Sequence, residues 1–444
     1  MLDKFKSSVQ GVASKVAAKA SEVNSKVAQN AKKQEDDQYV VALDIGTEFV
    51  KALIGKVTDQ GTLEVIGVGR SRQSLSDMQA GAIADISGVV QNCDSALNQA
   101  EQQAGVSVRT AVIGIAGELV KGTTTTVRVS RKNADKPLDL VEFERIIKLV
   151  QERAEAKAKK QLAWELGGKE VAVRLVNSAL VGIEIDGYKV TSPIGFQGRD
   201  VVVQLYTAFA PLIHIGALER TAQQLDLDLL AVAAEPFAVA RSVIGDDTSA
   251  SMNAVLMDVG GGTTDIAVIT DGGVQGTKMF GIGGRAYTRA VERELNVEFS
   301  QAEALKVGLS EGKVPQNKAA AVEGALNKTL DVWIGGVELA LSEFDKVDHL
   351  PHKLLLCGGG SSLDLLMDKL QESNWYKGLP FARKPSVQHI HPDEVVGIID
   401  KTGDVTDHTF ITAMGLLRVG LDTLQFSVGA GNSVKEKIDR VLRT

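Results

Sequence analysis

Two apolar runs of this chain end in the same way, and this repeated ending limits the possible folds more than any other feature. Residues 39–43 (YVVAL) lead into Asp44, Gly46 and Thr47, and residues 254–257 (AVLM) lead into Asp258 and a glycine run. A continuous apolar run is typical of a strand buried on both faces of a sheet. The repetition suggests two related halves, each opening on a buried strand.

The residues after both strands have the chemistry of a phosphate site. Glycines allow a tight turn whose backbone N–H groups bind phosphate oxygens, and the hydroxyls of Thr47 and Thr263 add donors. Lys51 can reach a phosphate from the opposing strand of the first hairpin. Asp44 and Asp258 are predicted to face the same phosphates and to hold a hydrated Mg²⁺, which needs few protein ligands.

A third glycine loop follows a third apolar run. Residues 354–357 (LLLC) precede Gly358, Gly359, Gly360 and Ser361, where a helix opens, and this is a geometry that cradles nucleotides. One glycine triplet carries little information, because about 0.4 are expected by chance at this glycine content. Three glycine loops at strand ends are more specific. The sequence has no P-loop motif and no dinucleotide fingerprint after Leu43.

At this point the chain resembles a known superfamily. Five segments (44–51, 235–238, 258–265, 357–361 and 413–416) are similar, in order, to the phosphate, connecting and adenosine motifs of the actin-like ATPases. Within that superfamily, residues 39–421 resemble the bacterial cell-division family FtsA. Further segments that carry this likeness are 66–69, 81–86, 111–117, 193–198, 283–284 and 302–306.

The resemblance implies an α/β fold with two related halves around a nucleotide cleft and a small inserted α+β domain of the FtsA type. The predicted divisions are a helix and linker (1–37), the first half (38–82 and 175–237), the inserted domain (83–174), the second half (238–421, with an outer subdomain near 276–325) and a tail (422–444).

The resemblance also assigns roles to residues of the cleft. It implies ATP and Mg²⁺ as ligands, with Asp44, Gly46, Thr47 and Lys51 on the phosphates and Glu235 orienting the attacking water. The other implied nucleotide contacts are Gly260, Gly261, Gly262, Thr263, Gly283, Gly284, Glu303, Lys306, Gly358, Gly359, Gly360 and Ser361. Two of these assignments have a plainer alternative. Glu235 also suits a helix start, and Glu303 with Lys306 also suits an ion pair on a solvated helix face.

Both ends of the chain carry basic amphipathic patterns. Residues 1–33 hold seven lysines and two acidic residues, and their apolar side chains (Leu2, Phe5 and a series of valines) fall on one narrow helical face. This pattern predicts a helix lying on an anionic membrane surface. A short coiled coil, or a helix docked on the protein itself, stays open as an alternative. Residues 434–444 form a shorter candidate anchor. FtsA relatives carry their membrane helix at the C-terminus, so the N-terminal pattern departs from that family.

Composition narrows the function further. The formal charge of −7 argues against nucleic acid as a partner, and two cysteines without an apolar leader predict a cytoplasmic chain. The FtsA resemblance implies that an amphipathic helix holds it at the inner face of the cytoplasmic membrane. The resemblance implies slow ATP turnover, self-association into filaments and binding of the tubulin-like protein FtsZ through its C-terminal peptide.

Two other functions are open. The alternative is a PilM-type platform for type IV pili, which binds the tail of a pilus inner-membrane protein, and a kinase of the same fold is a remote alternative. His389 and His391 have no convincing further ligands for a metal.

Overall fold

The computed structural model describes residues 38–117, 120–244 and 252–428, and most of its strands lie in two large sheets. The strands are β1 (Tyr39–Ile45), β2 (Phe49–Val57), β3 (Leu63–Arg72), β4 (Met78–Gln79), β5 (Ala82–Ile83), β6 (Thr110–Ile115), β7 (Lys121–Ser130), β8 (Val173–Ile185), β9 (Tyr188–Lys189), β10 (Asp200–Pro211), β11 (Asp228–Ala234), β12 (Ala254–Val259), β13 (Thr264–Thr270), β14 (Gly273–Phe280), β15 (Lys353–Cys357), β16 (Ser386–His389) and β17 (Ile398–Asp400).

Nine α-helices are placed within the described residues. They are α1 (Ile86–Ala104), α2 (Leu140–Glu165), α3 (Leu212–Gln224), α4 (Glu235–Ile244), α5 (Gly284–Leu295), α6 (Phe299–Ser310), α7 (Gln316–Ser342), α8 (Asp364–Glu372) and α9 (Ile411–Val428).

The two sheets repeat one strand pattern, which confirms the prediction of two related halves. In the first sheet β11, β6 and β1 run parallel, and β2 and β3 follow as an antiparallel hairpin. In the second sheet β16, β15 and β12 run parallel, and β13 and β14 follow antiparallel. The central strands β1 and β12 are buried along almost their whole length, as expected of continuous apolar runs.

An inserted unit of one helix and three long strands extends the second sheet. Strand β10 pairs with β7 and β8, helix α2 covers them, and β7 meets β14 at the single pair Thr123 and Gly276. The unit therefore spans about 120–211, which differs from the predicted segment 83–174. Strand β6 instead belongs to the first sheet, on which helix α1 packs, and β8 to β10 belong to the second sheet. The prediction differs because the partner of a strand is set by pairing between residues distant in sequence.

Two C-terminal elements cross back to the first half. Strand β17 pairs with β3, and α9 packs so closely on α4 that a Cβ at Gly415 would lie 2.4 Å from the Ala238 carbonyl oxygen. Helix α9 also continues to Val428, beyond the predicted boundary at 421. The sequence prediction assigned residues 238–421 wholly to the second half. The structure differs because the apolar side chains of α9 belong to a core cluster that includes residues of β1 and β6 in the first sheet as well as of β12 in the second.

Local sequence signals explain several element ends. Asp85 begins α1 by accepting a hydrogen bond from the Ser87 backbone N–H, and Asp139 caps α2 in the same way through Glu142. The turn that joins β2 to β3 has Gly61 in the left-handed region. Capping side chains and a turn glycine therefore fix where these helices and strands begin or end.

Two predictions fall on residues that the structure does not describe. The amphipathic segments 1–33 and 434–444 lie outside the described ranges, as does the linker 34–37. Among the helices that are described, none has the length and the apolar run that crossing a bilayer requires.

Candidate nucleotide site

The first predicted loop lies where β1 ends and β2 begins. Asp44 is 3% exposed, and its Oδ2 accepts a hydrogen bond from Lys51 Nζ at 2.8 Å. The Gly46 N–H donates to the Phe49 carbonyl oxygen at 3.1 Å, which closes the turn. A Cβ at Gly46 would lie 2.8 Å from that oxygen, so glycine leaves room for the turn. The loop thus presents a buried carboxylate and a buried ammonium group side by side.

The second loop faces the first. Asp258 is buried near the end of β12, and the Gly260 N–H donates to the Thr263 carbonyl oxygen at 2.9 Å to form a hairpin. A Cβ at Gly262 would stand 2.9 Å from Thr47 Oγ1 of the first loop. The two loops, one from each half, therefore meet across a narrow gap.

The third loop packs directly behind the second. Gly358 has φ of +81°, and a Cβ there would lie 2.1 Å from Asp258 Oδ1. At Gly360 a Cβ would lie 2.8 Å from the Gly260 carbonyl oxygen. Ser361 is fully buried and donates to the Gly358 carbonyl oxygen at 2.7 Å. The close packing requires glycine at these positions.

The adenosine side of the predicted site lies on α5 and α6. The Gly284 N–H donates to the Gly260 carbonyl oxygen at 2.9 Å, so the start of α5 rests on the second loop. Lys306 Nζ lies 2.8 Å from Glu303 Oε2 and 3.0 Å from Thr288 Oγ1. Both side chains line the cleft, and they also form the ion pair of the alternative interpretation.

One cavity of about 430 Å³ joins these loops, a volume within the usual range for small-molecule sites. The predicted residues that line it are Asp44, Gly46, Thr47, Lys51, Glu235, Asp258, Gly260, Gly261, Thr263, Gly284, Glu303, Lys306, Gly358, Gly359 and Gly360. Three predicted residues do not line it: Gly262, Gly283 and Ser361. Gly262 faces Thr47 of the first loop, Ser361 is buried, and a Cβ at Gly283 would lie 2.5 Å from the Gly260 carbonyl oxygen.

Buried carboxylates dominate the electrostatics of the cavity. Burial raises the pKa of Glu235 well above its usual range, and the charges of Asp44, Asp265 and Asp258 raise it further. Burial likewise raises the pKa of Asp258 and of Asp265. Burial lowers the pKa of Lys51, but Asp44 and Asp258 outweigh that effect and raise it. Lys51 is the ammonium group that acts on these carboxyl groups, so acidic side chains outnumber basic ones at this end of the cavity.

This charge excess fits a divalent cation. Within the described ranges no group of three or more potential ligands is arranged to hold a metal by itself. Mg²⁺ takes few protein ligands and completes its shell with water and phosphate oxygens, so Asp44 and Asp258 suffice.

The Glu235 side chain fits into the cavity wall because residue 114 is a glycine. A Cβ at Gly114 would lie 2.9 Å from Glu235 Oε1.

The structure adds residues that the sequence analysis did not assign. Arg285 on α5 bridges the halves: its Nη2 donates to the Thr47 carbonyl oxygen at 2.5 Å, and its Nε donates to Glu48 Oε2 at 3.0 Å. Thr412 donates to Asp258 Oδ2 at 2.5 Å. Asp265 and Arg70 also line the cavity. Arg285 follows the predicted glycine pair directly, and this adjacency was the available signal.

The raised pKa of Glu235 predicts how stability depends on pH. A carboxyl whose pKa is higher in the folded state stabilises the fold fully below its ordinary value of 4.5 and loses that contribution as pH rises. We expect the contribution of Glu235 to the stability of the nucleotide-free protein to fall as pH rises above about 4.5. Glu235→Gln should lessen this loss and stabilise the protein at neutral pH by about 1–3 kcal/mol. Urea unfolding across pH measures it.

The matched control for this experiment is Glu323→Gln, because Glu323 is an exposed side chain on α7. It should leave the pH dependence of unfolding as in the unmodified protein. An unchanged pH dependence in Glu235→Gln would contradict the assigned electrostatics.

Known proteins share both the sequence pattern and the fold. A family model described as "Cell division protein FtsA" matches residues 255–415. The chain is 27% identical to the cell division protein FtsA of Pseudomonas aeruginosa over 271 residues, which are 61% of this chain and 60% of that relative. It is 23% identical to FtsA of Rhizobium meliloti over 412 residues, 85% of this chain and 86% of the relative.

The structural comparison covers more of the chain. A solved PilM–PilN type IV pilus biogenesis complex superposes with a TM-score of 0.61 at 16% identity, over 86% of this chain and 98% of that one. The two related halves and the glycine-lined cleft define a protein of the actin-like ATPase fold. Within that class the chain is similar to the cell division protein FtsA, which agrees with the resemblance read from its motifs. The matches to the first relatives span about three fifths of their lengths.

Proposed function

We propose that this protein is an ATP-binding, actin-like cytoskeletal adaptor that assembles at the inner face of the cytoplasmic membrane and holds FtsZ there during cell division. The observation that carries the proposal is the cleft, where glycine loops from both halves and a buried carboxylate cluster meet in one cavity. Arg285 already links the halves across it. A ligand that touches both walls therefore biases the relative position of the halves, and with it the shape available for self-association.

The proposed roles follow the position of each side chain. Asp44 and Asp258 hold Mg²⁺, which neutralises phosphate charge, and Lys51 with Thr47 contacts the phosphates from the first half. Gly260 to Thr263 contact them from the second half, and the loop at 358–361 with Glu303 and Lys306 contacts the adenosine. Glu235 orients water at the phosphate end. The site acts mainly by positioning the phosphates and the water, and Glu235 is its one glutamate at the phosphate end, close to other charged side chains. These features suit slow turnover of ATP.

The membrane and FtsZ roles rest on the relatives and on the chain ends. The FtsA relatives are cell division proteins, which supports the division role and FtsZ as the partner. The basic amphipathic pattern of residues 1–33, with the weaker one at 434–444, supports attachment to anionic lipid. Small apolar side chains on that pattern give each copy a weak hold, so assembly into a filament strengthens binding through multivalency.

Vesicle co-sedimentation with purified FtsZ tests this proposal. Anionic vesicles should pull down the full chain and FtsZ together, about tenfold more with MgATP than without, because assembly multiplies weak anchors. A chain lacking residues 1–33 should leave both proteins in the supernatant. A chain lacking residues 434–444 is the matched control and should keep most of the binding.

Two results would contradict the adaptor role. If vesicles recruit the chain without FtsZ, and the chain instead binds the cytoplasmic tail of a pilus inner-membrane protein, the PilM-type role replaces it. The fold similarity to the PilM–PilN complex makes that the second candidate. If MgATP has no effect on recruitment, the proposed coupling between cleft and assembly is wrong.

A further inference from the structure

One residue at the start of α5 binds both phosphate loops. The Arg285 backbone N–H donates to the Gly261 carbonyl oxygen of the second loop at 2.7 Å, and its side chain crosses the cleft to the first loop. There Nη2 donates to the Thr47 carbonyl oxygen at 2.5 Å, and Nε donates to Glu48 Oε2 at 3.0 Å. Arg285 therefore connects two loops that come from different halves.

All three nitrogen atoms of the Arg285 guanidinium group donate to protein oxygens. Besides Thr47 and Glu48, the Leu75 carbonyl oxygen accepts a hydrogen bond, from Nη1 at 3.3 Å. The side chain of Arg285 is 12% exposed and that of Glu48 is 20% exposed. Hydrogen bonds from a guanidinium group are charge-assisted and fixed in direction. Because each nitrogen has a protein acceptor, the group is suited to bridging the halves rather than to binding a phosphate.

The acceptor of this bridge is held in place by its own half. Arg72 on β3 donates to Glu48 Oε1 from Nε at 2.9 Å and from Nη2 at 2.6 Å, so the carboxylate lies between two guanidinium groups. The Gln73 backbone N–H donates to the Glu48 carbonyl oxygen at 2.9 Å. Glu48 therefore meets Arg285 as an oriented acceptor, and the bridge joins two ordered parts of the site.

The two phosphate loops are in close contact beside the bridge. A Cβ at Gly261 would lie 3.0 Å from Glu48 Cβ, and a Cβ at Gly262 would lie 2.9 Å from Thr47 Oγ1. Glycine at both positions lets the two backbones approach. Moving the loops apart would break the hydrogen bonds of the Arg285 side chain, because its backbone N–H stays with the second loop.

We propose that Arg285 is a positioning residue that fixes the spacing of the two phosphate loops and so sets the rate at which nucleotide enters and leaves the cleft. This inference rests on the proposed function, which places the phosphates of the nucleotide between these loops. The bridge is closed both before and after binding, and it opens only while nucleotide passes. Loss of the side chain should therefore speed binding and release alike.

Stopped-flow fluorescence of the full chain with N-methylanthraniloyl-ADP and Mg²⁺ tests the exchange role. Arg285→Met keeps a long side chain and removes every donor. We expect its association and dissociation rates each to rise about tenfold, because opening no longer breaks charge-assisted hydrogen bonds. The equilibrium dissociation constant should change less than about threefold. Glu48→Gln should accelerate exchange less, since the contact with the Thr47 carbonyl oxygen is kept.

Arg289→Met is the matched control, because Arg289 lies exposed one turn further along α5 and does not line the cavity. Its exchange rates should equal those of the unmodified chain. Slower association with much weaker binding in Arg285→Met would show that Arg285 binds the phosphates directly. Exchange rates equal to those of Arg289→Met would show that the bridge does not limit exchange. Either result would overturn the proposal.

A distance measurement tests the bridge without nucleotide. Spin labels at Gln91→Cys on α1 and Ser300→Cys on α6 report on the two halves, and both native cysteines are buried away from the label. We expect Arg285→Met to broaden the distribution of label distances and Arg289→Met to leave it unchanged. The two experiments fail separately. Absence of nucleotide binding by the unmodified chain would overturn the proposed function, whereas an unchanged distribution in Arg285→Met would show that the bridge does not hold the halves.

Discussion

Lys51→Met should destabilise this protein by about 3–5 kcal/mol, the range measured when one member of a buried ion pair is removed. The Lys51 side chain is 12% exposed and that of Asp44 is 4% exposed, with 2.8 Å between Nζ and Oδ2. Without the ammonium group, Asp44 loses its ion-pair partner, and the other two buried cations of the cavity, Arg285 and Lys306, are already paired with Glu48 and Glu303. Urea unfolding of the purified variant without nucleotide measures the loss.

Two companion variants make the Lys51 result specific. The double variant Asp44→Asn with Lys51→Met removes both charges and should recover a large part of the stability, because no buried charge stays unpaired. Lys328→Met removes an exposed lysine 3.5 Å from Glu294 and should change stability little. If Lys51→Met and Lys328→Met have the same free energy of unfolding, the Lys51–Asp44 ion pair does not stabilise the protein as described.

Gly358→Ala should have the second large effect. The residue has φ of +81° and ψ of 152°, a region almost confined to glycine where a side chain costs about 1–3 kcal/mol, and the added Cβ would lie 2.1 Å from Asp258 Oδ1 and 2.6 Å from the Val259 carbonyl oxygen. Overpacking adds about 1–3 kcal/mol. Asp258 must move, which breaks its hydrogen bond from Thr412 and displaces a proposed Mg²⁺ ligand. We expect lower stability and loss of MgATP binding together.

The neighbouring glycine supplies the control. A Cβ at Gly359 would meet no atom within 4 Å, so Gly359→Ala should fold with unchanged stability. Gly359 lines the cavity, and its effect on MgATP binding should be smaller than that of Gly358→Ala. Equal unfolding free energies for the two variants would show that the third loop is not packed as the structure has it.

Short-range patterns were sufficient to predict the strands that lead into the site. The continuous apolar runs at 39–43, 254–257 and 354–357 became the buried strands β1, β12 and β15. The bounds of the inserted unit were not predictable in this way. Thr123 and Thr207 pair across the chain, and no local periodicity records which distant strand is the partner.

The residues of the site likewise form two groups, those that a local sequence motif predicts and those that only the tertiary structure brings there. Asp44, Asp258 and the glycines could be found because each follows a strand in a recognisable motif, and the structure brings them to one cavity. Arg285 and Thr412 reach the cavity only through packing. Arg285 contacts carbonyl oxygens more than two hundred residues away in sequence, and Thr412 reaches Asp258 because α9 crosses between the halves. Their contributions depend on tertiary structure.

The most direct test of this account is a calorimetric titration of MgATP into the purified full chain. The account predicts one site per chain, tighter binding with Mg²⁺ than without, and loss of binding in Gly358→Ala but not in Lys160→Met, which lies outside the cleft. Absence of binding at any Mg²⁺ concentration, or equal binding by Gly358→Ala, would contradict the assignment of the cleft as the nucleotide site.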